Sequence, residues 1–176
     1  MIEIIAYTSM LVDHLGCTII EHNAITWLIG RMAWPLFIYM AVLGYHRTSN
    51  FPKYALRVLI IAIISQLPYE LIFGHGLLNV CFSILVILLI IELIHRQSYL
   101  QAAVMGVVSF FFFPSSGIRF AILLGLILDR LINFGYLKFP GQAGQARVRF
   151  IKSRVFRTLK YSFYPCHLLL IVFLMN

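Results

Sequence analysis

Seven apolar stretches alternate with short polar connectors along the chain. They run over about Ile2–Ile20, Ala24–Tyr45, Tyr54–Phe73, Leu77–Ile94, Tyr99–Phe113, Ile118–Asn133 and Thr158–Leu174. Each approaches the ~20 residues that a helix needs to cross a bilayer, and the fifth and sixth are short. Those two are expected to tilt, to thin the membrane locally, or to form one re-entrant pair. None alternates apolar and polar residues as barrel strands do, so helices are predicted throughout. The expected fold class is all-α: a polytopic integral membrane bundle of seven transmembrane helices, with residues 1–176 forming one domain.

Composition supports a membrane rather than water as solvent. Of 176 residues, 61% are hydrophobic and 11% are charged, against roughly 25% charged in ordinary soluble domains. A small soluble domain cannot enclose that much apolar surface. A disordered chain needs the opposite balance.

The net charge of +8 reads as topology. Twelve of the 14 Lys and Arg residues lie in connectors on one side. Arg47, Lys53 and Arg57 flank the Thr48–Pro52 loop, and Arg96 sits in the next connector on that side. The other eight lie between Arg130 and Lys160. The positive-inside rule then puts the N-terminus in the cytoplasm and the C-terminus outside. Residues 134–157 become a basic cytoplasmic loop. The charge therefore points to anionic lipid and not to nucleic acid. The run Gly141–Lys160, with Arg149, Lys152 and Arg154, has two open readings: a loop lying on lipid, or a cradle for an anionic cofactor.

Several chemistries lack their residues. Cys17, Cys81 and Cys166 all fall in apolar runs without a Cys-x-x-Cys, which marks them as packing residues, and no metal site is expected. There is no phosphate-binding glycine loop, His-Glu-x-x-His or Gly-x-Ser-x-Gly, so ATPase and hydrolase readings have no support. The first stretch lacks a basic start and is interrupted by Asp13 and His14, so a cleavable signal is not expected.

Ionisable groups inside spans are costly and mark function by default. Asp13 and His14 lie in the outer half of the first helix, and Arg31 lies at similar depth in the second. Sequence neighbours on a helix point about 100° apart. The expected arrangement is Asp13 paired with Arg31, with His14 turned to a cavity. The stripe Glu3, Tyr7, Met10, His14, Cys17, Glu21 suggests a wet inward surface. His167 sits near mid-membrane in the last helix, one face with Lys160 and Tyr164, beside Pro165, which frees the Tyr161 carbonyl. A core histidine and a catalytic one explain it equally. Glu70 is open between a base, a partner for His75 and an interfacial charge. Asn79 follows at helical spacing from His75, and Glu92 is expected to snorkel at the cytoplasmic side.

Five segments, taken in order, resemble the TraX family, which includes the conjugative pilin acetylase. They are Met10-Leu11-Val12-Asp13-His14-Leu15-Gly16, Ile29–Phe37 with Gly44-Tyr45, Ser65-Gln66-Leu67-Pro68-Tyr69, Leu77-Leu78-Asn79-Val80 and Tyr161–Leu170. The fifth and sixth helices resemble it poorly. The first-helix Asp-His followed by an Arg is also loosely similar to larger transmembrane acyltransferases. The resemblance implies transfer of an acetyl group from acetyl-CoA to the N-terminal amine of a pilin subunit, at a bacterial inner membrane. On that reading His14 takes the amine proton or briefly carries the acetyl group. Asp13 and Arg31 set the register of two helices or stabilise charge, Asn79 donates to the thioester carbonyl, and His167 is a second acid/base. Glu70 and Tyr164 line the substrate site. Two other readings stay open: an acyltransferase for a sugar or lipid, and a non-enzymatic transporter or assembly scaffold.

Overall fold

The computed structural model describes residues 2–18, 24–74, 76–112, 116–137 and 154–175. They form seven helices, and no strand occurs among them. The helices are α1 (Ile2–Thr18), α2 (Ala24–Arg47), α3 (Phe51–Phe73), α4 (Val80–His95), α5 (Tyr99–Phe112), α6 (Ser116–Asn133) and α7 (Arg154–Met175). Each falls on one of the expected apolar stretches.

Local chemistry sets the ends. Asn50 accepts from the Lys53 amide at 3.0 Å, and Pro52 follows in the first turn of α3. A proline there costs nothing, because its missing N–H is one the helix could not have bonded. Gly74 ends α3 at φ 95°, a conformation open to glycine, and its N–H bonds the Glu70 carbonyl. Asn79 caps α4 by accepting from the Cys81 amide at 3.0 Å.

Packing divides the bundle into two regions around α4. In one, α2, α4 and α6 bury Ile38, Val42, Leu88 and Ile91. In the other, Met10, Ala33, Ala62, Cys81, Tyr164 and Leu168 bring α1, α2, α3, α4 and α7 together. There α1 packs chiefly on α2, and α7 chiefly on α3, with a lighter contact between α1 and α7. Gly30 lets α1 and α2 close up: a Cβ at that position would overlap the Asp13 carboxylate.

Among the described residues, two helices, Leu28–Arg47 and Phe51–Phe73, are long and apolar enough to cross a membrane. The shorter apolar helices include α4 with 16 residues and α5 with 14. At ~1.5 Å per residue these reach about 24 and 21 Å, less than the ~30 Å hydrocarbon core. Outward faces are apolar as well. Leu56, Ile60, Ile63, Ile64, Leu67 and Leu71 of α3 are each exposed, at 47% to 68%. A continuous apolar face of that kind suits lipid or a partner and not water.

Candidate functional site

The site is built where α1 and α7 meet. His14, on α1, faces His167, on α7, and both are buried, at 8% and 5% exposure. Their rings lie nearly parallel, and His14 Nδ1 is 2.8 Å from His167 Nε2. Across 153 residues of sequence, no spacing pattern announces this contact.

The hydrogen-bond network assigns the protons. His167 Nδ1 lies 2.9 Å from the Phe163 carbonyl, one turn back on α7. A carbonyl only accepts, so His167 Nδ1 carries the hydrogen. In a neutral ring, His167 Nε2 is then a bare acceptor. His14 Nδ1 must therefore donate to it, which leaves the lone pair of His14 on Nε2. That nitrogen has no hydrogen-bond partner among the described residues. Phe73 covers His14 edge-on, Phe163 stacks on His167, and Tyr164 meets His167 at 5.4 Å between ring centroids. The second imidazole thus orients the first and selects its tautomer.

The expected cavity beside His14 is replaced by this ring contact. Asp13 turns the other way, as adjacent helical residues must, and its carboxylate rests on Gly30. Asp13 and Arg31 both act electrostatically on Cys17, so the two share a neighbourhood. Arg31 is exposed and not buried with His14. The inward stripe of α1 is real but largely dry. Met10 is core, and Tyr7 packs on Phe37 and Phe163. Glu21 lies outside the described residues.

Asn79 is engaged within the fold. Its Nδ2 donates to the Ala62 carbonyl at 2.7 Å and to Gln66 Oε1 at 3.0 Å, and its Oδ1 caps α4. Both Nδ2 hydrogens are thus used within the resting fold. The helix starts at Val80 and not at Leu77, so Asn79 is a cap and not a member of a helical stripe. Glu70 accepts from Gln66 Nε2 at 2.7 Å, in the same network; His75 lies outside the described residues. Tyr164 is buried in the core beside Cys81. Arg149 and Lys152 lie outside the described residues, as does the side chain of Arg154, which opens α7.

A second polar cluster, unforeseen from sequence, lies at the opposite end of α2 and α4. Asp129 of α6 is 2% exposed and sits between two imidazoles. His46 Nε2 of α2 is 3.0 Å from Oδ1, His95 Nε2 of α4 is 3.2 Å from Oδ2, and Asn133 Nδ2 is also 3.2 Å from Oδ2. Glu92 does not merely snorkel: it accepts from Tyr45 at 2.8 Å and from Arg96 Nε at 2.6 Å. The available signal was Asp129 itself, an acid inside an apolar stretch. Among the described residues, no group of three His, Cys, Asp or Glu is arranged to hold a metal ion.

No curated protein matches the chain, and no solved structure does. The TraX family model, described as TraX protein, matches residues 1–140, which takes in α1 to α6 and leaves Tyr164 and His167 beyond the match. With most of its length matched in this way, the chain belongs to the TraX family.

Proposed function

We propose that this chain is a membrane acetyltransferase that moves an acetyl group from acetyl-CoA to the N-terminal amine of a pilin subunit. The observation that carries the reading is the buried His14–His167 pair. An amine attacks a thioester only through its free lone pair, so the reaction needs a base. His14 Nε2, with its tautomer set by His167 and the Phe163 carbonyl, is such a base. Family membership supplies the connection to pilin, and no second acceptor has a specific observation in its favour.

We place all seven helices in a bacterial inner membrane, with the N-terminus cytoplasmic. His14 then lies toward the outer face, where a processed pilin presents its new amine. Arg47, Lys53, Arg57 and Arg96 lie at the cytoplasmic end, where cations suit the phosphates of coenzyme A and anionic lipid. His14 takes the proton from the amine as the new C–N bond forms. The C–S bond breaks, and the proton passes to the departing sulfur.

The test is intact mass spectrometry of the candidate pilin co-expressed with this protein. One acetyl group at the pilin N-terminus is expected with wild type and is absent with His14→Ala. Full acetylation by an inserted His14→Ala protein would refute the assignment of the base. Unmodified pilin with well-inserted wild type would refute the acceptor. Thermal stabilisation by coenzyme A would then point to a sugar or lipid acceptor, and its absence to a scaffold.

A further inference from the structure

Two buried side-chain oxygens have no hydrogen-bond partner among the described residues: Ser65 Oγ and the Tyr164 hydroxyl. Ser65 is 0% exposed and Tyr164 7%. Buried polar groups are nearly always bonded, and one left open inside a bundle lowers stability unless it does something else. Of the two, Tyr164 stands beside the imidazole pair. Tyr164 is one turn before His167 and touches its ring edge-on. Ser65 is on the face of α3 that carries Ala62 and Tyr69, and Ala62 and Tyr69 both pack in the core that holds Tyr164.

Val80, the first residue of α4, packs against the core that holds Tyr164, and its backbone amide lies near the Tyr164 oxygen without completing a hydrogen bond to it. An N–H in the first turn of a helix has no acceptor within that helix, and it stands at the positive end of the helix dipole. α4 is 16 residues long. The Asn79 side chain takes the Cys81 amide and not that of Val80. An uncommitted phenol O–H and a helix N-terminus therefore meet one turn from His167, which is a donor set for an oxygen that gains negative charge.

We propose that the Tyr164 hydroxyl and the N-terminus of α4 form the oxyanion site of acyl transfer, receiving the carbonyl oxygen of the acyl thioester. The inference rests on the acetyltransferase reading above. As the amine nitrogen adds to the carbonyl carbon, the C=O π pair moves onto oxygen. The Tyr164 O–H and the Val80 N–H donate to that oxyanion. The C=O bond then re-forms, the C–S bond breaks, and the thiolate takes the proton that His14 removed from the amine. Tyr164 keeps its own proton throughout.

The experiment uses the full chain in membranes, with pilin as acceptor and thiol release from acetyl-CoA as the rate. Tyr164→Phe is expected to lower kcat by about 10²- to 10³-fold, as loss of one oxyanion donor does elsewhere. KM for acetyl-CoA should stay near the wild-type value. The melting temperature should stay level or rise, because an unpaired buried hydroxyl has been removed. A merely structural hydroxyl would leave kcat unmoved. Incorporation of 3-fluorotyrosine at position 164 keeps the size and strengthens the donor, so it should retain activity even if the Phe variant folds poorly. Wild-type kcat in Tyr164→Phe, with His14→Ala inactive in the same assay, would overturn the oxyanion site and leave the acetyltransferase reading standing. No thiol release and no acetylated pilin with wild type would overturn both.

Discussion

Replacing Asp129 by Asn tests whether the second polar cluster ties α2, α4 and α6 together. The carboxylate is 2% exposed. It accepts from His46 Nε2 at 3.0 Å on one oxygen, and from His95 Nε2 and Asn133 Nδ2, each at 3.2 Å, on the other. Asparagine has the same shape but one acceptor oxygen in place of two. Its NH₂ must face either His46 or the His95–Asn133 pair, so in either flip a donor meets a donor or a histidine must shift its hydrogen to Nδ1. The remaining bonds lose their charge. Hydrogen bonds to a charged group contribute about 1.5–3 kcal/mol each. The His95 side chain is 32% exposed and finds water once released, whereas that of His46 is 12% exposed. The amide should therefore turn its NH₂ toward His95, and the total loss is about 2–4 kcal/mol. At ~2–4 °C per kcal/mol for a chain of this size, the melting point should fall by roughly 4–16 °C. Circular dichroism of the purified protein in detergent reads this directly. His46→Ala combined with Asp129→Asn should cost less than the sum of the two, because both remove one interaction. Asp129→Asn melting within a degree of wild type would refute the role given to the cluster. Acetylation measured well below the transition should be unchanged, since the imidazole pair lies at the other end of α2.

Gly30→Ala would drive a methyl group into the Asp13 carboxylate. Overpacking of this kind costs about 1–3 kcal/mol; melting should show it, and acetylation should fall because His14 adjoins Asp13. Asn79→Ala removes a helix cap worth about 1 kcal/mol and the side-chain bond that ties it to the Ala62 carbonyl of α3. The variant should melt lower yet keep wild-type kcat per folded molecule, and a large loss of kcat would return Asn79 to the reaction. Cys17, near the end of α1, is exposed whereas Cys81 is buried, so maleimide should label Cys17 and spare Cys81 in the folded protein, as peptide mass mapping would show.

The helices were legible because their stretches are apolar and their ends carry specific chemistry. Asn50 with Pro52, and Gly74, mark the two ends of α3 as turn and cap residues should. Hydropathy cannot distinguish a helix from its cap, however. Leu77 and Leu78 continue the apolar run of α4, which hides that Asn79 stands outside the helix and binds its first turn. Individual site residues were legible for a different reason. His14 and His167 stand out as ionisable groups in apolar segments, but their contact depends on how α1 and α7 pack. Asp129 carried the same signal and was masked by Arg130 beside it, which reads as a topology marker. Its partners, His46 and His95, lie at helix ends, where a histidine excites no notice.

The two clusters differ in how completely they are satisfied, and that difference separates their roles. At the Asp129 end, every carboxylate oxygen has a donor, and Glu92 likewise holds both Tyr45 and Arg96. A saturated network of that kind fixes helix ends and has nothing left to offer a substrate. At the His14 end, among the described residues, the chain of bonds from the Phe163 carbonyl through His167 stops at a bare nitrogen, and the Tyr164 hydroxyl has no partner. Unused donors and acceptors destabilise a resting protein, and the proposed reaction would supply their missing partners. The open end also lies at the seam between the α1–α2 pair and the α3–α7 pair, where α1 and α7 touch lightly. An acceptor amine and a thioester entering there would part only the α1–α7 contact and would complete the bonds that the resting bundle leaves unmade.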